Sequence, residues 1–272
     1  MLLTVRCPAK INLFLAVGKK DSRNYHPVRT IFQAIDLCDV VRIGPGSGKH
    51  RVMFDDPSIP IDNTVTKTLR LLNEVVSLPP LIITIEKRIP PESGLGGGSS
   101  NAAAVIRVAQ RIAGVTIPLG ELNGIAEAIG MDVPFFLVGG RAKGEVYGEK
   151  VTPLPDAPTE YVVVARPYAG SSTHQAYRRL DELDYPWAEF AEQDTVYNDF
   201  ERVASKESLQ LIQHLLSVGA RDAALSGSGS ATFGRFPTRE AALKARAALL
   251  NAGTPRVWIA RTLSRAESLF IP

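Results

Sequence analysis

The chain has 272 residues, 45% of them hydrophobic, and its 31 lysines and arginines against 28 aspartates and glutamates leave a net charge of +3. A chain of that length buries enough apolar surface to fold without disulfides or a structural metal, and it suits one large domain or two modest ones around a cleft. The mild positive balance favours anionic metabolites and, with no basic run denser than Arg178-Arg179, excludes a nucleic-acid footprint.

In chain order, residues 2–17 read as a strand interrupted at Cys7-Pro8, and residues 31–43, alternating and rich in Val, Ile and Phe, as a second. The first segment lacks the apolar core of a signal peptide, and no stretch approaches the roughly 20 apolar residues of a membrane span. The expectation is a soluble protein of the reducing cytoplasm, with no membrane partner. Cys7 and Cys38 belong to no paired motif and sit in strand-like runs, which predicts buried, inert thiols. A turn-rich loop covers 44–49. Residues 64–76 carry Val65, Leu69, Leu72 and Val76 at helical spacing, and Pro79-Pro80 ends that helix. A short strand at 81–85 leads through a Gly/Ser loop, 94–100, into an alanine-rich helix striped by Val105, Ile106, Ala109, Ile112 and Ala113 and closed by Gly114. Another helix spans 119–129, and Asp132-Val133-Pro134 opens a third, since Asp caps a helix well and proline is tolerated in its first turn. Residues 143–158, rich in Gly, Pro and charge, mark a boundary between an N-terminal domain, 1–152, and a C-terminal domain, 153–272. The second half reads as a strand at 161–165, a helix from Thr173, a helical pattern near 209–216, a strand–turn–strand around 226–236, a charged helix at 239–250 and a last strand at 256–263. Strands and helices without regular βα alternation imply an α+β class.

Two segments look like phosphate loops, and one fails. Gly44-Pro45-Gly46-Ser47-Gly48-Lys49 lacks the required spacing, because Ile43 stands where the first glycine belongs and His50 where a Ser or Thr would hold Mg²⁺. It reads as a turn. The stronger candidate is Ser93-Gly94-Leu95-Gly96-Gly97-Gly98-Ser99-Ser100-Asn101, which follows a strand and runs into a helix. Glycines let the backbone approach a ligand closely, successive N–H groups point at phosphate oxygens, and the helix N-terminus adds partial positive charge. The four histidines, His26, His50, His174 and His214, show no metal-ligand spacing, and no metal-ligating residue is assigned.

Three motifs in this order, Pro8-Ala9-Lys10-Ile11-Asn12-Leu13, the Gly/Ser loop, and Leu225-Ser226-Gly227-Ser228-Gly229-Ser230-Ala231, resemble the GHMP kinase superfamily. Within it the chain is most similar to the 4-diphosphocytidyl-2-C-methyl-D-erythritol kinases of the non-mevalonate (MEP) isoprenoid pathway. The matching pieces are Tyr25-His26, Phe32-Gln33-Ala34-Ile35-Asp36-Leu37, Asp132-Val133-Pro134-Phe135-Phe136-Leu137 and Asn198-Asp199-Phe200-Glu201, so the likeness runs from residue 8 to 234. It implies two domains, an N-terminal one like ribosomal protein S5 domain 2 that carries ATP, and a ferredoxin-like C-terminal one. It also implies transfer of phosphate from ATP, with Mg²⁺, to the 2-hydroxyl of a small CDP-linked methylerythritol. The Gly-rich loops alone would equally suit a homoserine or mevalonate-type kinase or a non-catalytic nucleotide-binding relative; Tyr25-His26 and the 132–137 motif favour the cytidyl substrate.

The resemblance assigns roles residue by residue. Asp132 becomes the base that takes the hydroxyl proton, although alone it would read as a helix N-cap. Lys10 becomes the cation that keeps Asp132 ionised and polarises the hydroxyl. Asn12, Thr173, Ser228 and Gly229 fall on the substrate side. Tyr25 would stack on the cytosine, His26 would hydrogen-bond its edge, and Tyr177, one helical turn from Thr173, would face its other side. Asn63 and Lys87 would flank the adenine, and 94–101 would hold the phosphates. Two departures stand out. The family usually has Asp-Gly before Tyr-His, where this chain has Arg23-Asn24, followed by Pro27, and residues 142–149 are about two longer than the usual turn. The sequence carries no signal of oligomeric state.

Overall fold

A computed structural model describes residues 2–168, 170–190 and 195–271. Two long strands form its spine, β1 (Leu3–Val17) and β2 (Val28–Pro45), paired antiparallel. The break expected at Cys7-Pro8 is only a register shift between Pro8 and Ala9, because a bulge accommodates a residue with no N–H to give. β3 (Arg51–Phe54), which the sequence reading did not anticipate, pairs in parallel with β4 (Leu81–Glu86) across the helix α1 (Thr64–Val75). The turn before β3 confirms that 44–49 is no phosphate loop. His50 accepts the Leu81 N–H at its Nδ1, which ties the turn to β4.

α2 (Gly97–Ala113) takes in Gly97 to Ser100, which the sequence assigned to the loop, so the loop ends at Gly96. α3 (Leu119–Ile129) and α4 (Val133–Val138) follow. The stretch read as a boundary loop folds into a hairpin, β5 (Arg141–Glu145) and β6 (Lys150–Pro153), with β5 paired to the first half of β2. The remaining chain runs β7 (Tyr161–Arg166), α5 (Thr173–Asp181), β8 (Tyr197–Asn198), a 3₁₀ turn (Asp199–Val203), α6 (Lys206–Ser217), β9 (Asp222–Leu225), β10 (Thr232–Phe236), α7 (Arg239–Asn251), β11 (Arg256–Arg261) and α8 (Arg265–Ser268).

The first sheet runs β3-β4-β2-β1-β8 with the β5–β6 hairpin attached to β2, and the second runs β11-β7-β10-β9. β1 alternates its core contacts. Ala9, Ile11 and Leu13, with Ile35 and Leu37 of β2, pack against Val162, Val164 and Phe233 of the second sheet. Phe32 and Ala34 face Ala102, Ala103 and Ile106 of α2 and Phe135 of α4. α6 and α7 cover the far face of the second sheet through Leu211, Leu215, Ala245 and Leu249. The fully buried Arg235 of β10 is held by Asp222 and Glu160, at 2.6 and 3.1 Å. The site lies where β1, the N-terminus of α2, the N-terminus of α4 and the β9–β10 turn converge. Cys7 and Cys38 are buried among these strands, and burial pushes both thiols up, Cys38 to about 11, as inert thiols require.

Candidate active site

The N-terminus of α2 faces a cleft of about 610 Å³ lined by Phe54, Ile59, Asn63, Lys87, Gly94 and Gly96 through Ser99, among others. Gly96 caps the helix at φ 72°, in the left-handed region, and a side chain there would meet Phe136 at 2.8 Å. The cap offers no side-chain bond, and Ser100 N–H already donates to Gly96 O at 2.9 Å. The N–H groups of Gly97, Gly98 and Ser99 precede the first intrahelical donor and open on the cleft. Asn101, 1% exposed, lines the same cleft with a carboxamide oxygen that has no protein partner. Asn63 caps α1, accepting from Val65 and Thr66 N–H at 2.9 and 3.1 Å while its amide donates to Pro60 and Ile61 carbonyls. Its side chain is therefore committed to the helix. Lys87 is ion-paired to the fully buried Asp39 and lies beside Gly97.

A second cavity, about 180 Å³, joins the cleft at Gly94, the one described residue that lines both. Its walls include Lys10, Asn12, Thr30, Asp132, Thr173 and Tyr177. Lys10 and Asn12 come from the middle of β1, where successive residues alternate faces and two positions apart share one. Lys10 Nζ donates to Asn12 Oδ1 at 2.6 Å and lies 3.6 Å from Asp132 Oδ2. Burial lowers the pKa of Lys10, and the charge of Asp132 opposes that effect. Asp132 stands at the start of α4, yet its side chain makes no capping bond and remains about one-third exposed to the cavity. Asn12 also accepts the Gly227 N–H at 2.8 Å and donates to Thr30 at 2.8 Å. The β9–β10 turn therefore rests directly on β1. Ser226 Oγ donates to Gly94 O at 3.0 Å, and Thr173 Oγ1 shares a 2.8 Å hydrogen bond with Ser228 Oγ. Gly229, next in that turn, lies against Leu225 and lines a neighbouring cavity with Ser171 and Ser230.

The aromatic residues are arranged differently from the sequence expectation. The ring of His26 stacks on Tyr177, centroids 4.7 Å apart, and its Nε2 bonds Asp181 Oδ1 at 2.7 Å. Tyr177 also meets Phe200 edge-on at 4.9 Å, and burial with the nearby Asp132 charge pushes its phenol up to about 12. Tyr25 is 55% exposed and leans on Tyr147. Asn24 does adopt the left-handed backbone, φ 64°, that lets it replace the usual glycine.

Residues 63–140 match the GHMP kinases N terminal domain. The 4-diphosphocytidyl-2-C-methyl-D-erythritol kinase of Solibacter usitatus is 37% identical over 89% of this chain and 83% of its own. That of Geobacter sulfurreducens is 33% identical over 89% of this chain and 93% of its own. The chain belongs to this family of GHMP kinases. A crystal structure of 4-(cytidine 5'-diphospho)-2C-methyl-D-erythritol kinase superposes with a TM-score of 0.82 at 30% identity, over 95% of this chain and 98% of that one. A homoserine kinase from Cytophaga hutchinsonii shares the fold at a TM-score of 0.70 and 19% identity, over 97% and 95%. The two-sheet architecture is thus that of the GHMP kinases, and the chain is an ATP-dependent small-molecule kinase. No described helix is long and apolar enough to cross a membrane.

Sequence motifs had marked Lys10, Asn12, Asp132 and Gly94, and the structure brings all four together. They had not marked Thr30, which orients Asn12, or Asn198, whose amide donates to the carbonyls of Leu225 and Gly227 at 2.8 Å each and so holds the turn. Asn198 did lie inside a quoted motif, and its place as the cap of the 3₁₀ turn, where its side chain accepts the Phe200 N–H, was the available signal. Tyr147 carried no motif at all.

Proposed function

We propose that this chain transfers the γ-phosphate of ATP to the 2-hydroxyl of 4-diphosphocytidyl-2-C-methyl-D-erythritol, releasing ADP and the 2-phosphate, in the cytoplasm. The observation that carries it is the Lys10–Asp132 pair, 3.6 Å apart, in a cavity that meets the glycine-rich cleft at Gly94. Phosphoryl transfer is mainly positioning and charge neutralisation, with one group to take the hydroxyl proton. Asp132 is that group. It is uncommitted to the helix, open to the cavity and 3.6 Å from the Lys10 ammonium. Lys10, fixed by Asn12, faces the same hydroxyl and stabilises the oxyanion as the proton leaves. The free N–H groups at the start of α2 bind the phosphates, Thr173 and Ser228 orient the acceptor, and Asn63 and Lys87 border the adenine. The residues 1–152 then carry the nucleotide and 153–272 complete the acceptor side.

Mg²⁺ would arrive with ATP. Among the described residues no cluster of three acidic, cysteine or histidine side chains could hold it alone, but an ion that keeps its waters and phosphate ligands needs few protein oxygens. The Ser99 hydroxyl and the unpartnered Asn101 carbonyl in the cleft fit that demand. When bound, the ion neutralises phosphate charge.

The test is ADP release from Mg-ATP with the cytidyl substrate, run beside homoserine and mevalonate, on wild type and Asp132→Asn. Turnover with the cytidyl substrate alone, falling about 10²–10⁴-fold in the variant, is expected. Equal turnover by the variant would remove Asp132 from the role, and no turnover of any acceptor while ATP still binds would overturn the reading.

A further inference from the structure

Behind the β9–β10 turn lies a third cavity, of about 180 Å³, which shares no described residue with the nucleotide cleft and only Ser228 with the acceptor cavity. α5 divides the two smaller cavities. Its Thr173 and Tyr177 line the acceptor side, whereas Gln175, Ala176 and Arg179 line this one. The other walls include Ser205 and Ser208 at the start of α6 and Ser230 of the turn, and no aspartate or glutamate is among the described lining residues. The exposed Arg179 has no ion pair among the described residues, and its guanidinium reaches only the Val203 carbonyl, at 3.5 Å. Arg166, at the end of β7, backs the cavity and is 7% exposed. Its Nε donates to Ser230 Oγ at 3.1 Å, and its Nη2 lies 3.4 Å from the Cβ position of Gly170, another wall residue. Its remaining N–H groups have no partner among the described residues. Arg256 stands directly across the sheet from Arg166. Burial, followed by the charge of Arg256, lowers the pKa of Arg166, and Glu92, which opposes them, forms no ion pair with it.

A buried cation is costly unless an opposite charge answers it, and a like charge directly across a sheet adds to the cost. We propose that this cavity is a seat for a single phosphate group, either free phosphate or the terminal phosphate of a small metabolite, separate from both reactant chambers. Arg179 from α5 and Arg166 from behind Ser230 supply the countercharge, since the planar guanidinium matches phosphate oxygens in pairs. The serine hydroxyls of the walls supply further donors. The seat is joined to the reactive chambers through one turn. Ser208 Oγ donates to Ser230 O at 3.3 Å, and the next residue, Ala231, donates its N–H to Ser93 O at 3.1 Å, in the loop before α2. Ser171 Oγ donates to Ser228 O at 3.0 Å. An anion held there bridges α5, α6 and the turn that rests on Gly94 and Asn12, so its occupancy stiffens a wall of the acceptor cavity without entering it.

The experiment is calorimetric titration of inorganic phosphate into wild type, Arg179→Gln and Arg166→Gln, each saturated with a non-hydrolysable ATP analogue so that the α2 cradle is filled. Unchanged affinity for that analogue verifies folding, and methyl phosphate and chloride are titrated alongside at equal ionic strength. Wild type should bind one phosphate per chain and unfold at a higher temperature in its presence. Arg179→Gln should weaken phosphate about tenfold, and Arg166→Gln at least as much, the scale of a hydrogen bond to a charged group. Methyl phosphate binding as tightly as phosphate upholds the proposal and assigns the seat to a terminal phosphate, and a preference for phosphate upholds it for the free ion. No phosphate binding by wild type overturns the proposal. Equal phosphate affinity in Arg179→Gln and wild type overturns it too, returning the ion to the Lys10 side of the turn, and so does chloride binding as tight as phosphate. If Arg166→Gln does not fold, Arg179→Gln alone decides. None of these outcomes bears on the kinase reading, which rests on turnover.

Discussion

The carboxamide of Asn12 has one oxygen and one amino group, and its neighbours use both. The oxygen accepts from the Lys10 ammonium and from the Gly227 N–H, and the amino group donates to Thr30. A buried polar group loses its net bond and also strands its partners when it is removed, at about 1–3 kcal/mol for each uncompensated group. Asn12→Ala should therefore lower stability by about 1–3 kcal/mol, read from the denaturant midpoint. It should also lower kcat at least about tenfold, because Lys10 would lose the acceptor that aims it, and one misplaced cation costs on that scale. A variant with normal kcat would show that Lys10 is aimed by Asp132 alone. The residue's place on β1 was legible from its motif. The double role was not, because the second partner, Gly227, is more than two hundred positions away.

At the level of elements, α8 is short and braces the site from behind. Gly140 N–H donates to Ser268 Oγ at 2.8 Å, and a side chain at Gly139 would meet Ser268 at 2.5 Å, so this helix closes over the C-terminal end of α4, whose other end bears Asp132. A capping box holds α8, with Ser264 accepting from Glu267 N–H and the Glu267 carboxylate accepting from Ser264 N–H and Arg261. The Arg261 guanidinium, followed by the Ser264 bonds, draws Glu267 from the ordinary 4.5 down to about 2. A carboxylate depressed in the folded state stabilises it above the unfolded value, so this contribution is present above pH 4.5 and is lost as pH falls toward about 2. Ser264→Ala should cost about 1 kcal/mol at pH 7, with Glu267→Gln costing less because the carboxylate is half exposed. The gap between Glu267→Gln and wild type should close across that acidic window in urea titrations at stepped pH. The helices were readable from periodicity, since α1 and α3 fall within one residue of expectation. β3, the β5–β6 hairpin and β8 were not, because strands of two to five residues carry too little alternation and owe their form to partners such as β2 and β1. Gly97 to Ser100 were read as loop, yet they form the first turn of α2, where Thr64 Oγ1 donates to Gly98 O at 3.0 Å.

For the whole molecule, the two sheets meet through the β9–β10 turn and the loop before α2. Gly94 has φ 80°, and a Cβ there would lie 2.0 Å from Ser226 O. Gly94→Ala must either displace the turn or part the sheets, at a cost of at least about 2 kcal/mol from backbone strain and overlap together. It should lower the unfolding midpoint and weaken both ATP and acceptor binding. An effect confined to ATP would mean that the turn moves without the sheets. The sequence suggested a phosphate cradle here, but the glycine pattern reads the same whether the ligand or the opposing backbone demands it. Here the opposing backbone demands Gly94. The two chambers have that single glycine in common among the described residues. On the proposed reading, a molecule that plugs the acceptor chamber is expected to leave the nucleotide seat open, which inhibition kinetics would register as a block that raising ATP does not relieve.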